Sequence, residues 1–251
     1  MKSSIVYYCI TVLLMGIGAA PVCGCSKSKH MSALQPVVVD TIVPRPVSDS
    51  GKTSWLALGD SYTIGQSVTV NERYPVQTVD VLRGMDVNMQ YPEIIAVTGW
   101  TTQDLLNALK NNPPIASTYS IVTLLIGVNN QYQGRSLDEY KIQFTTLLQQ
   151  AIKLAGNRPG RVVVLSVPDY SVTPFANGRD RAAIAHDIDN FNAANKQISD
   201  QYQVPWLEIT TASRMAAADP ALIASDSLHF SGKEYRVWAS MLAPVVKKAL
   251  Q

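Results

Sequence analysis

The sequence predicts an α/β domain built on a parallel sheet with helices on both faces, and three observations carry that expectation. Short β-rich apolar runs recur at Trp55–Leu58, Ile94–Val97, Ile121–Ile126 and Val162–Val167, with Trp206–Ile209 as a fifth. Segments of helical period separate them, and strands that alternate with helices line up in parallel with the helices packed against the sheet. The 251 residues and 47% hydrophobic content suit one such domain with an N-terminal extension, and they exclude a disordered chain.

The extension comes first. Lys2 is followed by an uncharged run from Ile5 to Val22 that ends in Gly16, Gly18, Ala19, Ala20 and Pro21, the layout of a secretory signal. Val22-Cys23-Gly24-Cys25 resembles a bacterial lipobox, which implies export, lipidation of Cys25 and anchoring to the membrane of the cell envelope through that lipid. An ordinary cleaved signal and an uncleaved anchor are the alternatives, because the run reaches the lower limit for a span. From Ser26 to Thr53 the chain is polar, with Pro36, Pro44 and Pro46, and reads as a tether. The expected organisation is a lipoprotein signal peptide over 1–25, a flexible tether over 26–53 and a folded domain over 54–251.

Within the domain, Thr101 or Thr102 caps a helix through Leu105, Leu106 and Leu109. Ser136-Leu137-Asp138-Glu139 reads as a capping box for a helix that places Tyr140, Phe144, Leu147, Leu148 and Ile152 on one face. A long helix covers Arg181 to Asp200. Ser231-Gly232-Lys233-Glu234 reads as a second box, leading into Tyr235, Trp238, Met241, Leu242, Val245 and Val246 at helical spacing. These apolar stripes are core.

Charge and motif content remove several function classes. Lys+Arg 21 against Asp+Glu 19 gives a net +2 with no long run of like charge, so nucleic acid is not an expected partner. All three cysteines, Cys9, Cys23 and Cys25, precede the domain, which leaves it without disulfide or thiolate metal chemistry. There is no His-Glu-x-x-His, no Gly-Lys-Ser/Thr and no strand-linked Gly-x-Gly-x-x-Gly, so neither a metal nor a cofactor is expected.

Ligands of open α/β sheets bind at the carboxyl ends of the strands, so the residues after each strand are the ones to inspect. After the first comes Gly59-Asp60-Ser61, after the second Thr98-Gly99-Trp100, and after the third Gly127-Val128-Asn129-Asn130. A glycine amide and an asparagine side chain at neighbouring strand ends are the donors an oxyanion hole uses. Near the C-terminus Asp226-Ser227-Leu228-His229 sets a carboxylate three residues before an imidazole, a spacing that lets the carboxylate orient the ring toward a serine hydroxyl. Of the three histidines, His30 lies in the tether and His186 in a polar helix, which leaves His229 as the candidate base. Taken singly, each residue also reads as a turn or cap; their chain order is what singles them out.

In that order the sequence resembles the SGNH/GDSL hydrolase family over about Trp55 to Leu250. The resemblance implies a three-layer αβα sandwich with a parallel, flavodoxin-like sheet, and a serine-dependent carboxylester hydrolase working through an acyl-enzyme. It assigns Ser61 as nucleophile, His229 as general base and Asp226 as its orienter. Ser61, Gly99 and Asn129 would donate to the oxyanion. The family pattern usually has Asp after the asparagine, and here Asn130 stands there. Its expected task is holding the loop by hydrogen bonds, which an amide performs.

The expected substrate is an acyl ester, and an exported enzyme without a long insertion favours short, acetyl-type groups, including those on glycans. A lysophospholipase or thioesterase is the enzyme alternative. A catalytically silent glycan-binding surface lipoprotein is the alternative of another class. Trp100, Tyr170 and Phe175 sit in or near strand-end loops and are candidates for the substrate wall.

Overall fold

A computed structural model describes residues 53–251. The expected signal peptide, Cys25 and the expected tether up to residue 52 lie outside the described residues. The elements are β1 (Trp55–Gly59), α1 (Ser61–Ile64), α2 (Tyr74–Arg83), β2 (Glu93–Ala96), α3 (Thr102–Asn111), β3 (Ile121–Leu125), α4 (Val128–Tyr132), α5 (Leu137–Leu154), β4 (Val162–Leu165), α6 (Arg181–Gln201), β5 (Trp206–Leu207), α7 (Thr210–Arg214) and α8 (Gly232–Leu250). The five strands form one parallel sheet in the order β2-β1-β3-β4-β5. The flavodoxin-like expectation is met.

The strand sequences explain why this sheet is covered twice. β1, β3 and β4 are buried at every position, and alternate residues face opposite layers. Trp55 and Ala57 join the core under α2 and α8, where Tyr235, Trp238, Leu242 and Val246 supply the helical stripe read from the sequence. Leu56 and Leu58 join the other core, under α3, α5 and α6, with Leu105, Tyr140, Phe144, Leu147 and Leu148. Each fully buried side chain of this kind contributes about 1.5–3 kcal/mol relative to exposure.

Helix starts follow local chemistry, with two corrections. Thr101 caps α3 in a complete capping box with Asp104. At the start of α5 only half of the expected box forms: Ser136 Oγ accepts the Glu139 amide (3.1 Å), but Glu139 Oε1 accepts Gln143 Nε2–H (3.0 Å) instead of returning to the Ser136 amide. The box expected at Ser231 does not form. Ser231 Oγ donates to the Ala221 carbonyl instead (2.7 Å), and Glu234 accepts the Trp238 indole N–H (2.6 Å). A buried indole is a stronger claim on that carboxylate than an exposed helix end.

Candidate active site

The site is built at the carboxyl ends of β1, β2 and β3, the edge where such sheets collect ligands. β1 ends at Gly59, where nothing larger fits: a Cβ there would lie 2.1 Å from Thr63 Oγ1 and 2.5 Å from the Leu125 carbonyl oxygen. The chain then turns at Asp60, whose Oδ1 accepts the Tyr62 amide (3.0 Å) and starts α1 with Ser61 as its first residue. Asp60 is wholly buried and its Oδ2 has no hydrogen-bond partner among the described residues. Burial pushes its carboxyl from 3.8 up to about 7, against the pull of the Tyr62 and Asp60 amides.

Across from Ser61, the segment before α8 presents His229. Its Nδ1 is 2.6 Å from Asp226 Oδ2, and its backbone N–H donates to Asp226 Oδ1 (2.9 Å). Oδ1 also accepts the Leu228 amide (3.0 Å), and Oδ2 accepts Ser67 Oγ–H (2.6 Å). Partial burial pushes the Asp226 carboxyl up, but the bonds from Ser67, Leu228 and both His229 groups outweigh it and hold the acid at about 2. The carboxylate therefore stays charged throughout the neutral range. Tyr62 sets its ring edge-on to the imidazole, with centroids 5.5 Å apart. His229 is buried, whereas His186 is exposed on α6.

The third side comes from the turns after β2 and β3. Asn129 Nδ2 donates one N–H to the Trp100 carbonyl (2.9 Å), which fixes the amide plane and leaves its second N–H unused by that bond. Gly99 occupies the adjoining turn at φ +87°, in the left-handed region, with open space where a Cβ would stand. Thr98 Oγ1 donates to Gln66 Oε1 (2.6 Å) and ties this turn to the loop after α1. Asn130 is buried beneath: its Oδ1 accepts the Thr102 amide (3.0 Å) and its Nδ2 donates to Thr102 Oγ1 (2.7 Å), clamping the start of α3.

A cleft of about 190 Å³ is lined by Ser61, Asn129 and His229, with Val128, Tyr132, Tyr170, Phe175 and Leu228 among its apolar walls. Ser61, Asn129, His229, Tyr170 and Phe175 are thus brought together as the sequence indicates. Gly99 and Trp100 are not lining residues. The Trp100 side chain packs against the core under α3 and α5, so its part in the site is the carbonyl that holds Asn129. Sequence reasoning missed Ser67 and Tyr132. Among the described residues no group of three or more histidine, cysteine or carboxylate side chains is placed to hold a metal ion, and no helix is long and apolar enough to cross a membrane.

A parallel, doubly covered sheet whose strand ends carry a serine and an amide donor, faced by a carboxylate-bound imidazole from the segment before α8, defines an acyl-transferring hydrolase built on an α/β fold. The chain belongs to the GDSL-like lipase/acylhydrolase family, whose model matches residues 57–237, and it is a carboxylic ester hydrolase. Solved structures agree on the fold. An acetyl xylan esterase variant from Geobacillus stearothermophilus superposes with a TM-score of 0.59 at 20% identity, covering 77% of this chain and 94% of that one. A lipase/acylhydrolase from Enterococcus faecalis gives 0.59 at 17%, covering 79% and 97%. Esterase EstA from a Pseudoalteromonas species, inhibited by monoethylphosphonate, gives 0.58 at 17%, covering 79% and 98%. No curated protein matches the chain.

Proposed function

We propose that the protein cleaves short-acyl esters, of the acetyl type and including those on glycans, through an acyl-enzyme on Ser61. Ser61 Oγ attacks the acyl carbon while the free nitrogen of His229 takes its proton. The proton then passes to the departing alcohol oxygen as the C–O bond breaks, and a water activated by the same imidazole releases the acid. Asp226 keeps the proton on Nδ1, so that the other nitrogen faces the cleft as a base. The oxyanion is held by the Ser61 and Gly99 amides and by Asn129 Nδ2, each worth roughly 10²–10³ in rate.

The observation that carries this reading is the 2.6 Å contact between His229 Nδ1 and Asp226 Oδ2, with the imidazole lining the same cleft as Ser61. A cleft of about 190 Å³ supports a small acyl group, and an acetyl xylan esterase among the similar structures supports a glycan as the alcohol. Turnover on 4-nitrophenyl esters of increasing chain length, together with acetylated oligosaccharides, tests it. Fastest cleavage of the acetyl esters is expected, and a maximum at long chains would make the enzyme a lysophospholipase or thioesterase instead. The Gly24-Cys25 motif further supports export and lipid anchoring at Cys25 in the cell envelope, which the mass of the mature N-terminus tests.

A further inference from the structure

One wall of the cleft is aromatic. Tyr132, Tyr170 and Phe175 form a triangle with ring centroids 6.0–6.3 Å apart, and Tyr132 stands exposed at the mouth. One cation covers it. Arg179 Cζ lies 4.6 Å from the Phe175 centroid and 5.2 Å from that of Tyr132, and Nη2 approaches the Tyr132 hydroxyl at 3.5 Å.

Arg179 is exposed, and among the described residues no carboxylate lies within ion-pair distance of it. Three acids of the surrounding segments bond to other groups. Asp180 caps α6 through the Ala183 amide (2.9 Å), Asp169 pairs with Arg214 (2.8 Å) and Asp187 accepts from Gln131 (3.2 Å). The neighbouring Arg181 is also committed, to the Thr173 carbonyl and Asn177 Oδ1. Aromatic faces attract a guanidinium without consuming its donors, and Tyr132 takes at most one of five N–H groups. The backbone beneath is fixed: the Arg179 amide donates to the Ala176 carbonyl (3.1 Å), and the Phe175 amide donates to Ser227 of the His229 segment (3.0 Å).

We propose that Arg179 is an anion-recognising subsite at the mouth of the cleft, selecting esters that carry a carboxylate or similar negative group on the part lying against Tyr132 and Phe175. This rests on the cleft hydrolysing esters. A planar guanidinium held on aromatic rings is pre-set to meet a carboxylate with two parallel N–H bonds, and its charge is not already neutralised.

The test compares kcat/KM for matched ester pairs in wild type, Arg179→Gln and Arg179→Glu. In one pair the charge sits on the alcohol, 4-acetoxybenzoate against its methyl ester. In the other it sits on the acyl group, the 4-nitrophenyl monoester of glutarate against 4-nitrophenyl valerate. The anionic-to-neutral ratio is expected to fall roughly five- to tenfold in Arg179→Gln, mainly through KM, and further in Arg179→Glu. The pair in which it falls identifies the half of the substrate that meets the wall. Ratios unchanged in both pairs, or equal losses on charged and neutral members, would overturn the subsite and leave Arg179 a packing residue. Absence of turnover on every ester by the wild type would instead overturn the esterase reading.

Discussion

Asp226 binds His229 with both of its carboxylate oxygens, Oδ2 to the ring at Nδ1 (2.6 Å) and Oδ1 to the backbone N–H (2.9 Å). The same carboxylate therefore sets the tautomer of the imidazole and the path of the chain that carries it. The two tasks separate by substitution. In Asp226→Asn the amide oxygen still accepts the Leu228 and His229 N–H groups, but an N–H donor now meets Nδ1 and favours the tautomer with its proton facing the cleft. Turnover is expected to fall by about 10³–10⁴ with a smaller drop in melting temperature than in Asp226→Ala, which loses the backbone bonds as well as the charge. Steady-state kinetics and thermal unfolding of the two variants check this, and equal loss of stability in both would contradict it.

Ser67 Oγ is the outer support of that carboxylate (2.6 Å), and Ser67 itself has φ +66°. Ser67→Gly removes the hydroxyl without adding backbone strain. Asp226 sits at about 2 when folded against an ordinary 3.8, so its contribution to stability is complete above 3.8 and lost as pH falls toward 2. Without Ser67 the folded value rises toward the ordinary one, which shrinks the contribution and moves acid unfolding to higher pH. Acid titration followed by near-ultraviolet circular dichroism reads the shift; an unmoved midpoint would show that Ser67 does not hold the carboxylate.

The sign reverses for Asp60. Its carboxyl is at about 7 when folded against 3.8, so its proton is bound more tightly in the native state and the associated stability declines as pH rises from about 4 through 7. Asp60→Asn keeps the oxygen that accepts the Tyr62 amide and removes the titration. Urea unfolding across that range is expected to show a flatter pH profile in the variant, and a slope equal to that of wild type would refute a protonated Asp60.

Asn129 and Asn130 are adjacent but serve different links. Asn129→Ala removes a donor needed when the carbonyl oxygen becomes charged, so kcat is expected to fall about 10²–10³ with a small change in KM. Asn130→Ala orphans the Thr102 amide in the core, while the Thr102 hydroxyl keeps its bond to Gln143 Oε1, and is expected to cost about 1–3 kcal/mol of stability. Asn130→Asp should cost less, because a carboxylate oxygen still accepts the Thr102 amide. Kinetics paired with denaturant unfolding separates these effects; a stability loss in Asn129→Ala as large as in Asn130→Ala would contradict the division.

Much of this fold is legible because buried parallel strands are continuous apolar runs, and β1, β3 and β4 begin at the residues where those runs begin. β5 is shorter than Trp206–Ile209, since the chain leaves the sheet at Glu208 and Ile209 already heads α7. Ser61 and Asn129 are legible because strand ends converge by topology alone, and His229 because Asp226 stands three residues before it. Ser67 is not: it meets Asp226 across 159 positions of sequence, and nothing local marks it. The Ser231 hydroxyl was equally opaque, because its partner, the Ala221 carbonyl, is set by the tertiary turn. The lesson extends to Arg179, an ordinary loop arginine until α4 brings Tyr132 beneath it.

The central claim is that Ser61 is the nucleophile, and covalent capture measures it most directly. The purified protein would be treated with a fluorophosphonate at neutral pH and the modified peptide identified by mass spectrometry. One adduct per chain on Ser61 is expected, absent in Ser61→Ala and strongly slowed in His229→Ala. A folded wild-type protein that remains unlabelled at Ser61, or carries its adduct on another residue, would contradict the account.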